Sequence, residues 1–268
     1  MIIKMKIIIS DKKQKEIFIS IFHILKNCSS HANITINKDF FYIQGMDKSH
    51  ICLFDLKIEK NWFSIYEVKE EIKICIDTNI FYSIISNKSE NQDLVIFLEK
   101  ENTDVLYIQF ILSTSFTKNK IIKGDFKKSF KISLLDYDYD EMFIPKVEYD
   151  ADFSISSKQI SEVFSELSNF GSDVIIKCQE NSINLNTSGI NGEMNVEINI
   201  NDVESYSIVE NEIIKLTYSL NYLYKMCISN KISNFIDFNI SNECPMKIFY
   251  SLGDTSYLSF YIAPKIND

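Results

Sequence analysis

The chain has 268 residues, 46% of them hydrophobic, with 6 Gly, 3 Pro and a formal charge of −9. This composition is globular rather than disordered and gives room for one large domain or two of ordinary size. All 28 basic residues are lysine, so no guanidinium fork is present to read base edges, and the net acidity argues against a protein that coats nucleic acid.

The first run, Met1–Ser10, is interrupted by Lys4 and Lys6 and followed by no small-residue cleavage site, so it reads as a strand over Ile2–Ile9 and not as a signal peptide. No apolar run approaches the length of a membrane span, and no membrane partner is expected. A helix follows over Asp11–Cys28, with Asp11 as N-cap and an apolar stripe of Ile17, Phe18, Ile21, Phe22 and Leu25. Strands are expected at Ala32–Ile36, Phe40–Gln44 and Ile51–Ile58. A strand at Ile72–Ile76 then leads into a helix at Thr78–Asn87, followed by strands at Leu94–Glu99 and Val105–Ile111.

The second half repeats this order. A strand at Ala151–Ser154 leads to a helix at Ser157–Phe170, capped by Ser156 or Ser157 and stopped at Gly171. Its stripe is Ile160, Val163, Phe164, Leu167 and Phe170. Strands are expected at Asp173–Cys178, Ser182–Asn186, Asn195–Ile200 and Ile213–Tyr218. A helix at Ser219–Asn230 and strands at Phe235–Ile240 and Met246–Leu252 complete it. Four strand–helix–strands modules, two per half, are the mark of an internal duplication.

The six cysteines are scattered without a C-x-x-C pair, and His23, His31 and His50 do not stand at zinc-ligand spacing. They read as reduced, mostly buried thiols of an intracellular, reducing compartment. Between the halves lies Asp136–Lys146. Its acidic run, Asp136, Asp138, Asp140 and Glu141, invites a divalent cation, but no histidine or glycine loop supports one. Met142, Phe143 and Ile144 then sit where solvation alone would not put apolar side chains, so this connector packs on something or binds something. Gln44–Leu53 is a strand–loop–strand unit with a small apolar patch and a polar lip, suited to catching a peptide.

Gln44–Leu53 (QGMDKSHICL) resembles a segment of the proliferating cell nuclear antigen family of sliding clamps. The resemblance extends to Leu134–Tyr149, to Glu166–Cys178 with Thr187–Gly189, to Leu220–Leu223, to Cys244-Pro245 and to the ending Tyr257–Ile266 with its Ala-Pro-Lys-Ile. It covers essentially the whole chain. It implies an α+β DNA-clamp fold with two similar domains, helices lining a ring hole and antiparallel sheets outside. The expected division is 1–134 for the first domain, 135–147 for the connector and 148–268 for the second domain.

The resemblance further implies a DNA polymerase processivity factor, without catalysis or cofactor, that encircles double-stranded DNA as a homotrimer. It would tether polymerases and other replication and repair factors by short peptide motifs, and a clamp loader would place it on DNA. In a eukaryote it would act in the nucleus, otherwise in the cytoplasm or at a viral replication site. Met46, His50, Ile51 and Leu53 match the loop side of the family's partner pocket, while Met142, Ile144 and Pro145 match its connector side. Pro245 and Tyr261 match its floor, and Ala263, Pro264, Lys265 and Ile266 match the tail that pairs with the incoming peptide. Phe143 departs from the small residue usual there.

For the DNA face the helix pattern offers Lys12, Lys13, Lys15 and Lys26, with Lys225 and Lys231 near the last helix. Lys158, Glu162, Ser165 and Asn169 make the second domain's first helix less basic than the family norm. The ring seam is expected between Ser129–Leu135 and Gly192–Ile198 of a neighbour, with Lys127, Lys128 and Lys131 facing Glu193 and Glu197. Two alternatives share the fold: a subunit of a heterotrimeric checkpoint-type clamp, and a protein scaffold that does not slide on DNA.

Overall fold

The computed structural model describes residues 2–87, 91–113, 126–136 and 141–266. The chain forms two compact units, one of Met1–Gly45 and Leu56–Glu141, the other of Met46–Asp55 and Met142–Asp268.

The elements fall into two rounds of the same order. The first round is β1 (Ile3–Ile9), α1 (Lys12–Cys28), β2 (His31–Ile36), β3 (Phe40–Met46), β4 (Cys52–Glu59), β5 (Ile65–Val68), β6 (Ile72–Asp77), α2 (Thr78–Ile85), β7 (Gln92–Glu99), β8 (Val105–Leu112) and β9 (Lys128–Ser133). The second is β10 (Ala151–Ser156), α3 (Ser157–Leu167), β11 (Asp173–Gln179), β12 (Ser182–Gly189), β13 (Gly192–Asn199), β14 (Ser205–Ile208), β15 (Ile214–Ser219), α4 (Leu220–Cys227), β16 (Phe235–Ile240), β17 (Met246–Ser251) and β18 (Tyr257–Ile262).

The pairing repeats as well. In the first round the strands lie in the orders β5-β1-β7-β8-β9 and β4-β3-β2-β6; in the second they lie in the orders β14-β10-β16-β17-β18 and β13-β12-β11-β15. Adding nine to each strand number of the first round yields the second. The four modules expected from the sequence are therefore a duplication of the whole α+β arrangement, and the pairs recorded within each round are antiparallel. The short edge strands β5 and β14 add to the elements that the sequence pattern marks. Four residues of weak alternation (Ile-Tyr-Glu-Val, Ser-Tyr-Ser-Ile) carry little signal alone, and pairing to β1 and β10 is what makes them strands.

Local chemistry sets the helix ends. The Asp11 carboxylate accepts the Gln14 N–H at 2.8 Å, Asp77 accepts from Asn79 and Ile80, and Ser156 accepts from Gln159. These meet donors that a helix start leaves unpaired. The helices α2, α3 and α4 end two or three residues earlier than the apolar periodicity suggests. Gly171 does not stop α3 through a left-handed cap. It lies where a Cβ would collide with Thr187 Oγ1 and the Ser188 carbonyl, and Gly189 in turn packs on the Phe170 carbonyl. The two glycines let the chain after α3 lie directly on β12.

In the first unit, Phe18 and Phe22 of α1 meet Phe81 of α2 (ring centroids 6.4 and 4.5 Å), with Phe41 on the other side of Phe18. In the second unit, Phe153 stacks on Phe238 at 4.9 Å and Phe164 meets the same ring edge-on. Each fully buried aromatic or aliphatic side chain contributes on the order of 1.5–3 kcal/mol, so these contacts stabilise the packing within each unit. Cys52, Cys75, Cys178 and Cys227 are buried, Cys28 and Cys244 are half-buried, and all six are thiols outside any disulfide. No helix among the described residues is long and apolar enough to cross a membrane.

Candidate functional site

Between β3 and β4 the chain turns around one carboxylate. Asp47 is 6% exposed. Its Oδ1 accepts the backbone N–H groups of Ile51 and Cys52, each at 2.8 Å, and its Oδ2 accepts Ser49 N–H at 3.0 Å and the Tyr222 hydroxyl at 2.6 Å. Burial by itself would raise the carboxyl's pKa. The four hydrogen bonds outweigh it, Tyr222 first, and hold the pKa below the ordinary aspartate value. The loop so fixed puts His50 in the left-handed region (φ 56°), with its ring Nδ1 3.1 Å from Met46 Sδ. The sequence marks Asp-Lys-Ser as a turn; that Asp47 is its hub, met by Tyr222 175 residues away, has no local signature.

This loop forms one wall of a groove of about 230 Å³ inside the second unit, through Met46, His50, Ile51 and Leu53. The extended segment before β10 forms the opposite wall with Phe143, Ile144, Pro145, Val147 and Tyr149. Cys244, Pro245, Tyr261 and Ala263 complete it. Nine of the sequence-selected residues therefore meet in one place. Met142 and Pro264 are half-buried and Lys265 and Ile266 exposed, all outside the groove lining. Val147, Tyr149 and Cys244 line the groove as well, beyond the sequence-selected set. Cys244 directly precedes Pro245 and Tyr149 lies four positions beyond Pro145, but nothing in the local pattern marks their side chains as groove-facing.

Burial, with weaker contributions from neighbouring acidic groups, raises the pKa of Tyr149, Tyr261 and Cys244, so these three groups carry no charge at neutral pH. The groove's volume suits one or two apolar side chains and not a nucleotide cofactor. The tail beyond β18 is anchored along one edge. Ala263 N–H donates to the Ile51 carbonyl at 3.1 Å and Lys265 N–H to the Thr217 carbonyl at 2.7 Å, while Lys265 Nζ pairs with Asp173 at 2.6 Å. Donors two residues apart on an extended chain point to one side, so the intervening Pro264 carbonyl and the Ile266 N–H face the other.

The lysines selected for a DNA face separate into two kinds. Lys12 and Lys13 are exposed at the start of α1. Lys15 is not on that face: it is 2% exposed, and its ammonium donates to the Gln92 carbonyl at 2.6 Å. The correction follows from the helix turn, since Lys15 falls beside the buried stripe and its stem reaches inward to β7. Lys26 is half-buried, its ammonium 4.3 Å from the centroid of the Tyr82 ring, on which His23 also stacks at 5.1 Å. Burial first, and the Lys26 charge second, lower the His23 pKa, so this imidazole adds no charge at neutral pH. Lys225 is half-buried and Lys231 exposed. On α3 the exposed positions are Lys158, Gln159, Glu162, Ser165 and Glu166, a face with no net positive charge.

The seam candidates β9 and β13 are both edge strands among the described residues. Lys127, Lys131, Glu193 and Glu197 are exposed. Lys128 lies on the inward-facing set of β9, and its ammonium reaches the Asn87 carbonyl at 3.2 Å. Of the acidic connector run, Asp138 and Asp140 lie outside the described residues. Among the described residues no group of three or more His, Cys, Asp or Glu could hold a metal ion.

A duplicated α+β arrangement, each round with two helices and two antiparallel sets of strands, defines a DNA sliding clamp of the kind used in replication. The model for "Proliferating cell nuclear antigen, N-terminal domain" matches residues 10–141, and that for the C-terminal domain matches residues 143–265. The chain belongs to the proliferating cell nuclear antigen family. It is similar to the proliferating cell nuclear antigen of Chaetomium thermophilum, 28% identical over 261 residues that cover 96% of this chain and 97% of that protein.

Proposed function

We propose that this protein is a non-enzymatic processivity factor that encircles duplex DNA as a head-to-tail homotrimer and tethers replication enzymes by short peptides. The groove carries the reading. It is apolar, open, walled by two chain segments with exposed Ile51 and Phe143 at its lips, and bordered by a tail whose Pro264 carbonyl and Ile266 N–H make no backbone hydrogen bond among the described residues. A peptide would insert aromatic or aliphatic anchors into it and add a strand to the Pro264–Ile266 edge. In domain terms we assign 1–134 and 148–268 to the two clamp repeats and 135–147 to the connector.

The strand order supports closure into a ring. β18 has β4 as its neighbour. Their repeat counterparts, β9 (the equivalent of β18) and β13 (the equivalent of β4), are edges. Pairing β9 of one copy with β13 of the next would repeat a union the fold already makes, with Lys127 and Lys131 near Glu193 and Glu197. Sedimentation at micromolar concentration tests this: a trimer is expected, and monomer alone would overturn the homotrimer. It would favour the heterotrimeric alternative, for which an α3 face without net positive charge speaks. Loading onto nicked circular plasmid by a clamp loader, with release on linearisation, tests encirclement. Calorimetry with a polymerase-tail peptide tests the groove, and loss of binding in Leu53→Asp is expected.

A further inference from the structure

Phe143 lines the groove and is 89% exposed, against 37% for Ile51 and 41% for Val147. An aromatic ring left in water on a groove wall is apolar surface that a bound partner would cover. Around it the chain is extended: Met142 and Ile144 are half-buried while Phe143 and Pro145 are exposed, the alternation of a strand. No backbone hydrogen bond joins residues 143–148 to the other described residues, so this segment presents an open main-chain edge beside an apolar groove.

We propose that Phe143 determines peptide specificity: it selects partners carrying an aromatic or β-branched residue opposite it on a strand added along the 143–148 edge. The inference rests on the groove being a peptide site and goes further, because it concerns residues outside the inserted anchors. In a paired strand the residue opposite Phe143 projects to the same face, with Cβ atoms about 4.5–5.5 Å apart. A β-branched or aromatic side chain there covers the ring; alanine leaves it wet. Such pairs correspond to about a three- to tenfold change in Kd.

The test is calorimetric, on the full chain. Synthetic peptides with two adjacent aromatic anchors and a five-residue extended tail carry valine or alanine at each tail position in turn. They are titrated into the native protein, Phe143→Ala and Phe143→Leu. Because the side chain is exposed, both variants are expected to melt as the native protein does. One tail position is expected at which alanine weakens native binding about three- to tenfold, has no effect in Phe143→Ala and an intermediate one in Phe143→Leu. Anchored binding to native protein with no tail position coupled to Phe143 would overturn the proposal and leave the groove reading standing. If no anchored peptide binds native protein, both fall.

Discussion

Asp47 shows how much one side chain organises. Its carboxylate takes up three backbone donors and one hydroxyl that would otherwise be left in a poorly hydrated loop. Asp47→Ala is expected to cost about 2–3 kcal/mol in urea unfolding, the penalty for leaving buried donors unmet, and to weaken peptide capture because His50 and Ile51 lose their anchor. Because the folded-state pKa of Asp47 is lowered, its contribution is present above the unfolded aspartate value and is lost as pH falls through the folded value. Stability measured from pH 6 down to pH 2 should therefore fall less steeply in Asp47→Asn than in the native chain. An unchanged acid limb would contradict the assignment.

Lys15 is the second instructive residue. With its ammonium on the Gln92 carbonyl it ties α1 to β7, while the Gln92 side chain donates to the Phe126 carbonyl. Lys15→Met is expected to lower stability by about 1–2 kcal/mol and to leave the salt dependence of DNA association unchanged. Lys12→Ala and Lys13→Ala should do the opposite. Each removes one phosphate-neutralising charge per subunit, three per ring, and so should flatten the log–log salt slope by up to about three, with little effect on melting.

At the scale of elements, the close approach of the chain after α3 to β12 depends on two residues without a Cβ. The Thr187 hydroxyl that a methyl at position 171 would strike donates to the Asp173 carbonyl at 2.6 Å, so it cannot swing away without breaking that bond. Gly171→Ala is expected to destabilise by about 1–3 kcal/mol, and proteolysis should then begin near the α3–β11 junction. The half-buried Lys26–Tyr82–His23 stack makes a related point. A lysine held over a ring is a fixed charge and not a mobile one, so the exposed basic charge of α1 is concentrated at its start, on Lys12 and Lys13.

At the scale of the molecule, the free β9 and β13 edges and the charges beside them make assembly testable by reversal. Lys131→Glu with Lys127→Glu should dissociate the trimer in sedimentation, and Glu193→Lys with Glu197→Lys should do the same. Combining all four substitutions should restore it, because opposite charges would again face each other along the added strand. Lys128 should tolerate replacement, since its ammonium is already committed to Asn87. Dissociation by Lys128→Ala alone would show that the seam is set differently.

Helix positions, most strands, the Asp11 and Ser156 caps and the duplication could be read from residue order, because 3.6- and 2-residue periodicities and capping oxygens are local properties. The groove residues that could be read came from the family resemblance in four short stretches, not from periodicity. Local chemistry could not show β5 and β14, which exist by pairing, or the inward turn of Lys15, which depends on a carbonyl 77 residues away. Nor could it show Asp47 as a hub, or Tyr149 and Cys244 as groove wall. Each of these rests on interactions between residues far apart in sequence, which exist only once the chain has packed.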